Sequence, residues 1–409
     1  MNLSEELTWR GFANQTTYKD ITAVDGEPLH FYWGVDPSAQ SMTIGNLAAA
    51  MMVRAFLRHG HRATLLIGGA TGLIGDPDGK AEERTLKSNE EIEKNKKAII
   101  SQYHRIFDGY KFDIVDNHDW FKGIGYLEFL RTIGKHVPMR QMMGRDFVQK
   151  RLSEEGAGIS YAEFSYVLIQ AYDFLYLNEK KGITLQVAAS DQWGNSIAGV
   201  DLIRRITGNE AHVWTTPLVV NKTTGKKFGK TEEGAIWLDE NLTSAYQFYQ
   251  FWLNADDEGV ESYLKIYTEL EKHDVELAMA EFNSNRQNRM AQRLLAYEVT
   301  KFVHGEKRAK EVAKVTDVLF AEGNFLELEK EEKMLLKHEL GSVKYTEDLA
   351  DVLVNSGLAA SKKEARTFLA SGAIYINSQK AGPENLDLFV SGMNLVKRGK
   401  NTFAIVEKK

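Results

Sequence analysis

The chain is 409 residues long, 43% hydrophobic and 26% charged. That is too long for one ordinary domain and suits two or three soluble globular ones. It has no cysteine, which excludes disulfide frameworks, thiolate zinc sites and a cysteine nucleophile together. The net charge of −6 argues mildly against wholesale coating of a nucleic acid. Residues 343–409, however, hold 10 Lys+Arg against 7 Asp+Glu, where the whole chain holds 51 against 57. An acidic body thus precedes a mildly basic tail, which suits contact with a polyanion and is also an ordinary chance surplus.

The N-terminal segment carries Glu5 and Glu6 and no apolar centre, so it does not read as a signal peptide. Apolar stretches such as residues 47–53 fall far short of the ~18 residues a membrane span needs, and a cytoplasmic protein without membrane association is expected. Residues 29–34 form a β-branched and aromatic run ending in Gly34 and predict a strand. Residues 45–57, rich in Ala, Leu and Met, predict a helix. The continuous apolar run 63–68 predicts a buried parallel strand. An amphipathic helix is expected at 90–107, strands at 111–115, 184–188 and 217–220, and a helix at 193–206. This alternation predicts an α/β fold, a Rossmann-like open parallel sheet covered by helices on both faces, with ligands beyond the carboxyl ends of the strands.

After about residue 243, helical patterns dominate, including 289–303 and 306–320. Residues 325–341 are dense in Glu and Lys and read as a connector. A compact α+β unit follows, with helices at 347–354 and 361–370 and strands at 373–376, 394–397 and 402–406. The expected domains are a catalytic domain at 1–242 with an insertion near 116–165, a helical domain at 243–324, a linker at 325–344 and a small unit at 345–409.

Five constellations carry chemistry. At the first strand-to-helix junction, Tyr32-Trp33-Gly34-Val35-Asp36-Pro37-Ser38 leads to Thr43-Ile44-Gly45-Asn46. A helix starting there points free N–H groups at an anion, and the same residues also make an ordinary N-cap. Next come the glycines of Gly68 to Gly79, then Lys80 and Arg84 at helical spacing. This is neither a Walker A loop nor a dinucleotide fingerprint. The two cations suit mobile phosphate contacts or a surface pairing with Glu82 and Glu83. Tyr166, Gln170 and Asp173 fall at i, i+4 and i+7 and share one helix face amid apolar Val167, Leu168 and Ile169. Gln186, then Ser190-Asp191-Gln192, sit in and just after a buried strand. Finally, Lys226, Lys227 and Lys230 flank Gly229, a loop able to close over a polyphosphate and equally able to stay solvated.

In their order, these blocks resemble the class I aminoacyl-tRNA synthetases, specifically the bacterial tyrosyl family. The likeness rests on Gly72-Leu73-Ile74-Gly75-Asp76-Pro77, Gln170-Ala171-Tyr172-Asp173, Ser190-Asp191-Gln192-Trp193-Gly194-Asn195 and Lys227-Phe228-Gly229-Lys230-Thr231. Leu353 to Leu358 and Gly372 to Asn377 are similar to an S4-type RNA-binding domain. The resemblance implies tyrosine and ATP (with Mg2+) as substrates, tRNA(Tyr) as acceptor and a homodimer with its interface in residues 129–151. It implies that Tyr32 and Asp173 take the phenol, and that Asp76, Tyr166 and Gln170 take the ammonium. Gln192 would contact the carboxylate, with Gln186 also at the tyrosine. Gly34, Asp36, Ser38, Gly45 and Asp191 would meet ATP, and Thr43, Asn46, Lys80, Arg84, Lys227, Lys230 and Thr231 would act on its phosphates.

Three positions depart from the family pattern. Its His-Ile-Gly-His block is Thr43-Ile44-Gly45-Asn46 here. Trp33 replaces a small residue expected beside the ribose, and Ala188-Ala189 replaces a Gly-Gly pair. A hydroxyl reaches less far than an imidazole and is never cationic, so heavier reliance on the lysine loop is expected. The alternatives are an RNA-binding homologue with impaired amino-acid activation and a tryptophanyl-type enzyme; the Tyr32 and Asp173 pair argues against the latter.

Overall fold

The computed structural model describes residues 1–77, 86–153, 156, 158–231, 234–321 and 323–409. They form two compact units, Met1–Thr243 with Asn254–Leu295, and Ser244–Leu253 with Ala296–Lys409. The stretch 243–324, expected as one helical domain, is thus shared between the units.

The first unit is built on a six-stranded sheet: β1 (Gln15–Thr16), β2 (His30–Val35), β3 (Arg62–Ile67), β4 (Phe112–Asp116), β5 (Leu185–Ala189) and β6 (His212–Thr216), in the order β1-β6-β5-β2-β3-β4. All neighbouring pairs are parallel except β1 with β6. The chain winds outward one way through β3 and β4 and the other way through β5 and β6. The topological switch therefore falls between β2 and β5, where such sheets open a ligand crevice. β3 is buried at five of its six positions, as a strand covered on both faces must be. One covering helix, Ile44–Arg58, carries the run of Ala, Leu and Met; another, Tyr161–Lys181, starts at Ser160 and stops at Gly182 with φ 68°.

The strand expected at 217–220 lies earlier, at His212–Thr216. Its residues pair with β5 from Leu185 opposite His212 to Ala189 opposite Thr216, so pairing ends where β5 ends. Pro217, without an N–H, then leads into a loop. The insertion contains the helices Tyr126–Thr132, Met139–Met143 and Asp146–Leu152.

The second unit ends in a five-stranded sheet: β9 (Ser342–Lys344), β10 (Ile374–Ile376), β11 (Gln379–Ala381), β12 (Gly392–Arg398) and β13 (Thr402–Lys408), ordered β11-β10-β12-β13-β9. The helices Leu349–Asn355 and Lys362–Ser371 pack on it through Leu349, Val352, Leu353, Ala365 and Leu369. Residues 325–344, expected as a linker, hold the helix Lys330–Leu340 and β9. Phe325, Leu328 and Leu336 are buried with Leu395 and Ile405, while Lys330 and Glu331 face solvent. The charged residues that made the segment read as a connector are its outer face. No helix among the described residues is long and apolar enough to cross a membrane.

Candidate active site

The pleat and register of β2 and β5 set Tyr32 beside Gln186 at the switch point. The Tyr32 hydroxyl, Gln186 Oε1 and Gln170 Oε1 are all buried, with no hydrogen-bond partner among the described residues. Leaving such atoms unmatched costs about 1–3 kcal/mol each, so a cluster of them marks a place built for a polar ligand. Across from them stands Asp173, 2% exposed. Its Oδ1 accepts from Trp120 Nε1 at 2.9 Å and its Oδ2 from Asn117 Nδ2 at 3.1 Å. Burial pushes the Asp173 carboxyl well above the usual carboxylate range, and the Asn117 and Trp120 hydrogen bonds oppose that rise without cancelling it. Burial likewise raises the Tyr32 phenol, and the charge of Asp173 adds to it.

A second network adjoins the first. Asp36, just past the end of β2, accepts from Tyr166 Oη at 2.7 Å and from Thr71 Oγ1 at 2.6 Å. Asn117 Nδ2 also donates to Thr71 Oγ1 at 3.1 Å, and Asn117 Oδ1 accepts from the Ala70 N–H at 2.7 Å. Gly68 makes this approach possible, because a Cβ there would lie 2.0 Å from Asp36 Oδ1. Gln192 Nε2 donates to Asp76 Oδ2 at 2.6 Å, and Asn195 Nδ2 to Gln192 Oε1 at 3.1 Å. Tyr166, Gln170 and Asp173 thus present one helix face to this crevice. Asn117, Trp120 and Thr71 are the residues sequence reasoning passed over. The polar run Asp116-Asn117-His118-Asp119 directly after the strand expected at 111–115 was the available signal.

At the start of the helix Ile44–Arg58, Thr43 and Asn46 bond each other. Asn46 Oδ1 accepts from the Thr43 N–H and from its hydroxyl. Gly45 lies against them, with a Cβ there 3.4 Å from Thr43 Oγ1. Trp33 is turned to the face of the sheet opposite Tyr32. It is 3% exposed and packs on Tyr103 and Phe107, with ring centroids 5.6 and 6.2 Å away, whereas Tyr32 faces Phe174. Strand alternation puts neighbours on opposite faces, so Gly34, not Trp33, shares the face of Tyr32. Asp36 and Ser38 line a small cavity with Gly72 and Gly75.

The lysine loop reaches the same edge of the sheet. Lys227 Nζ lies 3.6 Å from Asp191 Oδ2, and Gly229 lies against Ile44. Lys230 and Thr231 form β7, paired with β8 (Gly234–Ala235). Lys80 and Arg84 lie outside the described residues. Among those described, no group of three His, Cys, Asp or Glu is placed to hold a metal ion.

Buried polar atoms at the switch point, a helix N-terminus and a lysine loop at one sheet edge define an α/β protein with a polar crevice at the carboxyl ends of its parallel strands. The family described as tRNA synthetases class I (W and Y) matches residues 25–321, and the tyrosine–tRNA ligase SYY-like C-terminal domain matches 332–406. The tyrosine–tRNA ligase of Geobacillus kaustophilus is 44% identical over 392 residues, covering 93% of this chain and 92% of its own. That of Staphylococcus epidermidis is 41% identical over 423 residues, covering 99% and 98%. Among solved structures, a C-terminally truncated Aspergillus nidulans mitochondrial tyrosyl-tRNA synthetase aligns with a TM-score of 0.70 at 32% identity, covering 78% of this chain and 94% of that one. The chain belongs to the class I tRNA synthetases (W and Y), and within them to the tyrosine–tRNA ligase family.

Proposed function

We propose that this chain activates tyrosine with ATP and transfers the tyrosyl group to tRNA(Tyr). A tyrosine carboxylate oxygen attacks the α-phosphorus, the bond to the β,γ-phosphates breaks, and tyrosyl-adenylate and pyrophosphate form. A hydroxyl of the terminal ribose of the transfer RNA then attacks the adenylate carbonyl and AMP leaves. Neither step needs an enzyme nucleophile; positioning and charge stabilisation do the work.

The observation that carries this reading is the Tyr32 hydroxyl, buried and unmatched beside Asp173. A substrate phenol brings a donor for Asp173 and an acceptor for Tyr32; phenylalanine brings neither and leaves both unpaired. This family is the standard example of such rejection, at about 10⁵. Gln170 and Gln186 offer further acceptors, with Asp76, Tyr166 and Gln192 assigned to the ammonium and carboxylate end. Gly34, Asp36, Ser38, Gly45 and Asp191 are assigned to ATP. Thr43, Asn46, Lys80, Arg84, Lys227, Lys230 and Thr231 are assigned to the phosphates. Mg2+ would arrive on the nucleotide's phosphates, supplying charge neutralisation there.

Transfer RNA contact is assigned to the C-terminal unit, whose basic surplus suits it. A homodimer is supported by large apolar side chains left exposed in and next to the insertion, among them Tyr126 at 61%, Leu127 at 78% and Met139 at 58%. A cytoplasmic location fits this work. Tyrosine-dependent ATP–pyrophosphate exchange, run beside tryptophan and phenylalanine and followed by charging of tRNA(Tyr), tests the reading. Exchange with tyrosine alone is expected. Exchange with none would point to the RNA-binding homologue, and exchange with tryptophan would overturn the substrate.

A further inference from the structure

Phe228 stands in the middle of the lysine loop, between exposed Lys227 and buried Gly229, and is only 7% exposed. Its ring stacks on Tyr263, with centroids 4.1 Å and planes 22° apart, and Tyr267 lies 6.1 Å away. Both tyrosines belong to the helix Val260–Tyr267 and are fully buried. Tyr263 is itself held in place. Its hydroxyl donates to Asp256 Oδ1 at 2.8 Å, and the same oxygen accepts from Asn221 Nδ2 at 2.9 Å. Asn221 shapes the incoming limb of the loop, donating its N–H to Lys226 O at 2.9 Å and accepting from the N–H groups of Thr224 and Gly225. The Phe228 N–H donates to Val219 O at 2.9 Å. On the other side, Gly229 has φ 85° and no room for a side chain, since a Cβ would lie 2.5 Å from Ile44 Cγ1. The loop is thus seated between the first turn of the helix Ile44–Arg58 and an aromatic socket.

A purely solvated basic turn has no use for a buried ring at its centre. We propose that Phe228 is a positioning residue: its stack on Tyr263 sets where Lys227 and Lys230 stand when the nucleotide phosphates arrive. This rests on reading the loop as a phosphate clamp. A cation on a loose loop spends most of its time away from the transferring group, and misplacement by about 1 Å can cost roughly 10²-fold in rate. The socket removes that freedom from the backbone that carries both lysines.

The test uses the full-length protein and single-turnover formation of tyrosyl-adenylate. Phe228→Ala is expected to slow that step by roughly 10²-fold with tyrosine affinity little changed. Phe228→Met, which refills the socket with a thioether against the Tyr263 ring, is expected to restore most of the rate. Tyr263→Leu should slow the step as well, and combining it with Phe228→Ala should add little further loss. Lys230→Ala runs alongside. A slow Lys230→Ala beside a silent Phe228→Ala overturns the anchor alone. A silent Lys230→Ala brings down the clamp reading and the anchor with it. Equal losses of tyrosine affinity and rate in Phe228→Ala, or no recovery in Phe228→Met, would mean the ring serves the fold and not the loop.

Discussion

Asn46 Oδ1 accepts two hydrogen bonds from one residue, the backbone N–H and the side-chain hydroxyl of Thr43, each at 3.0 Å. Both bonds fix the amide oxygen of Asn46 on Thr43. Where the resemblance leads one to expect an imidazole at position 43, this chain has a hydroxyl bonded to an amide.

Thr43→Val keeps the shape and the backbone bond but removes the hydroxyl donor. Adenylate formation is expected to slow by roughly three- to tenfold, about one ordinary hydrogen bond, with tyrosine affinity unchanged. Single-turnover fluorescence with varied ATP measures this. An unchanged rate would show that Thr43 does not orient Asn46 toward the nucleotide.

With no imidazole at position 43, the lysines are expected to bear more of the phosphate charge. Lys230→Ala should lower the rate of adenylate formation by roughly 10²- to 10³-fold, the scale of losing a charge-stabilising donor. Tyrosine binding should barely move. Comparable losses in the two would sink the assignment.

Trp120 is expected to matter for choosing between tyrosine and phenylalanine. Trp120→Phe keeps a ring against Tyr176, 4.5 Å away in the native stack, but deletes the donor to Asp173. The ratio of kcat/KM for tyrosine over phenylalanine in pyrophosphate exchange should fall by about tenfold, one hydrogen bond's worth of orientation. A ratio equal to wild type would show that Asn117 alone suffices to hold the carboxylate.

Glu6 ties the N-terminal helix Leu3–Arg10 to the end of the helix Ile44–Arg58. Burial by itself would raise its carboxyl, but Arg10 at 2.7 Å, Arg58 at 2.5 Å and His59 at 2.8 Å overcome this and hold it at about 2, below the ordinary 4.5. A depressed carboxyl contributes stability that is fully present above its unfolded value and is lost as pH falls toward its folded one. Thermal midpoints should therefore drop as pH falls from about 4.5 toward 2, and Glu6→Gln should flatten that part of the profile. Parallel profiles for the two proteins would rule the network out as the cause.

Much of this protein can be read from residue order, because the signals are local. Apolar runs mark β2, β3 and β5, and alanine-rich periodicity marks the helix Ile44–Arg58. The i, i+4, i+7 spacing brings Tyr166, Gln170 and Asp173 to one face, and the lysine loop is visible as a cluster around Gly229. What stayed hidden depends on pairing between distant segments. Register with β5 decides that the sixth strand ends at Thr216 and not beyond Pro217. Packing of Phe325, Leu328 and Leu336 turns an apparent connector into core. The pleat of β2 sends Trp33 to Tyr103, on the face opposite Tyr32. Asn117 and Trp120 meet Asp173 across 56 and 53 positions of chain, and Phe228 meets Tyr263 in the same way. Residue order alone was enough for the kinds of chemistry at hand and the class of fold. Which side chains converge was settled by a parallel sheet that draws remote strand ends to one edge, where burial leaves a hydroxyl and two amide oxygens with nothing in the described protein to bond.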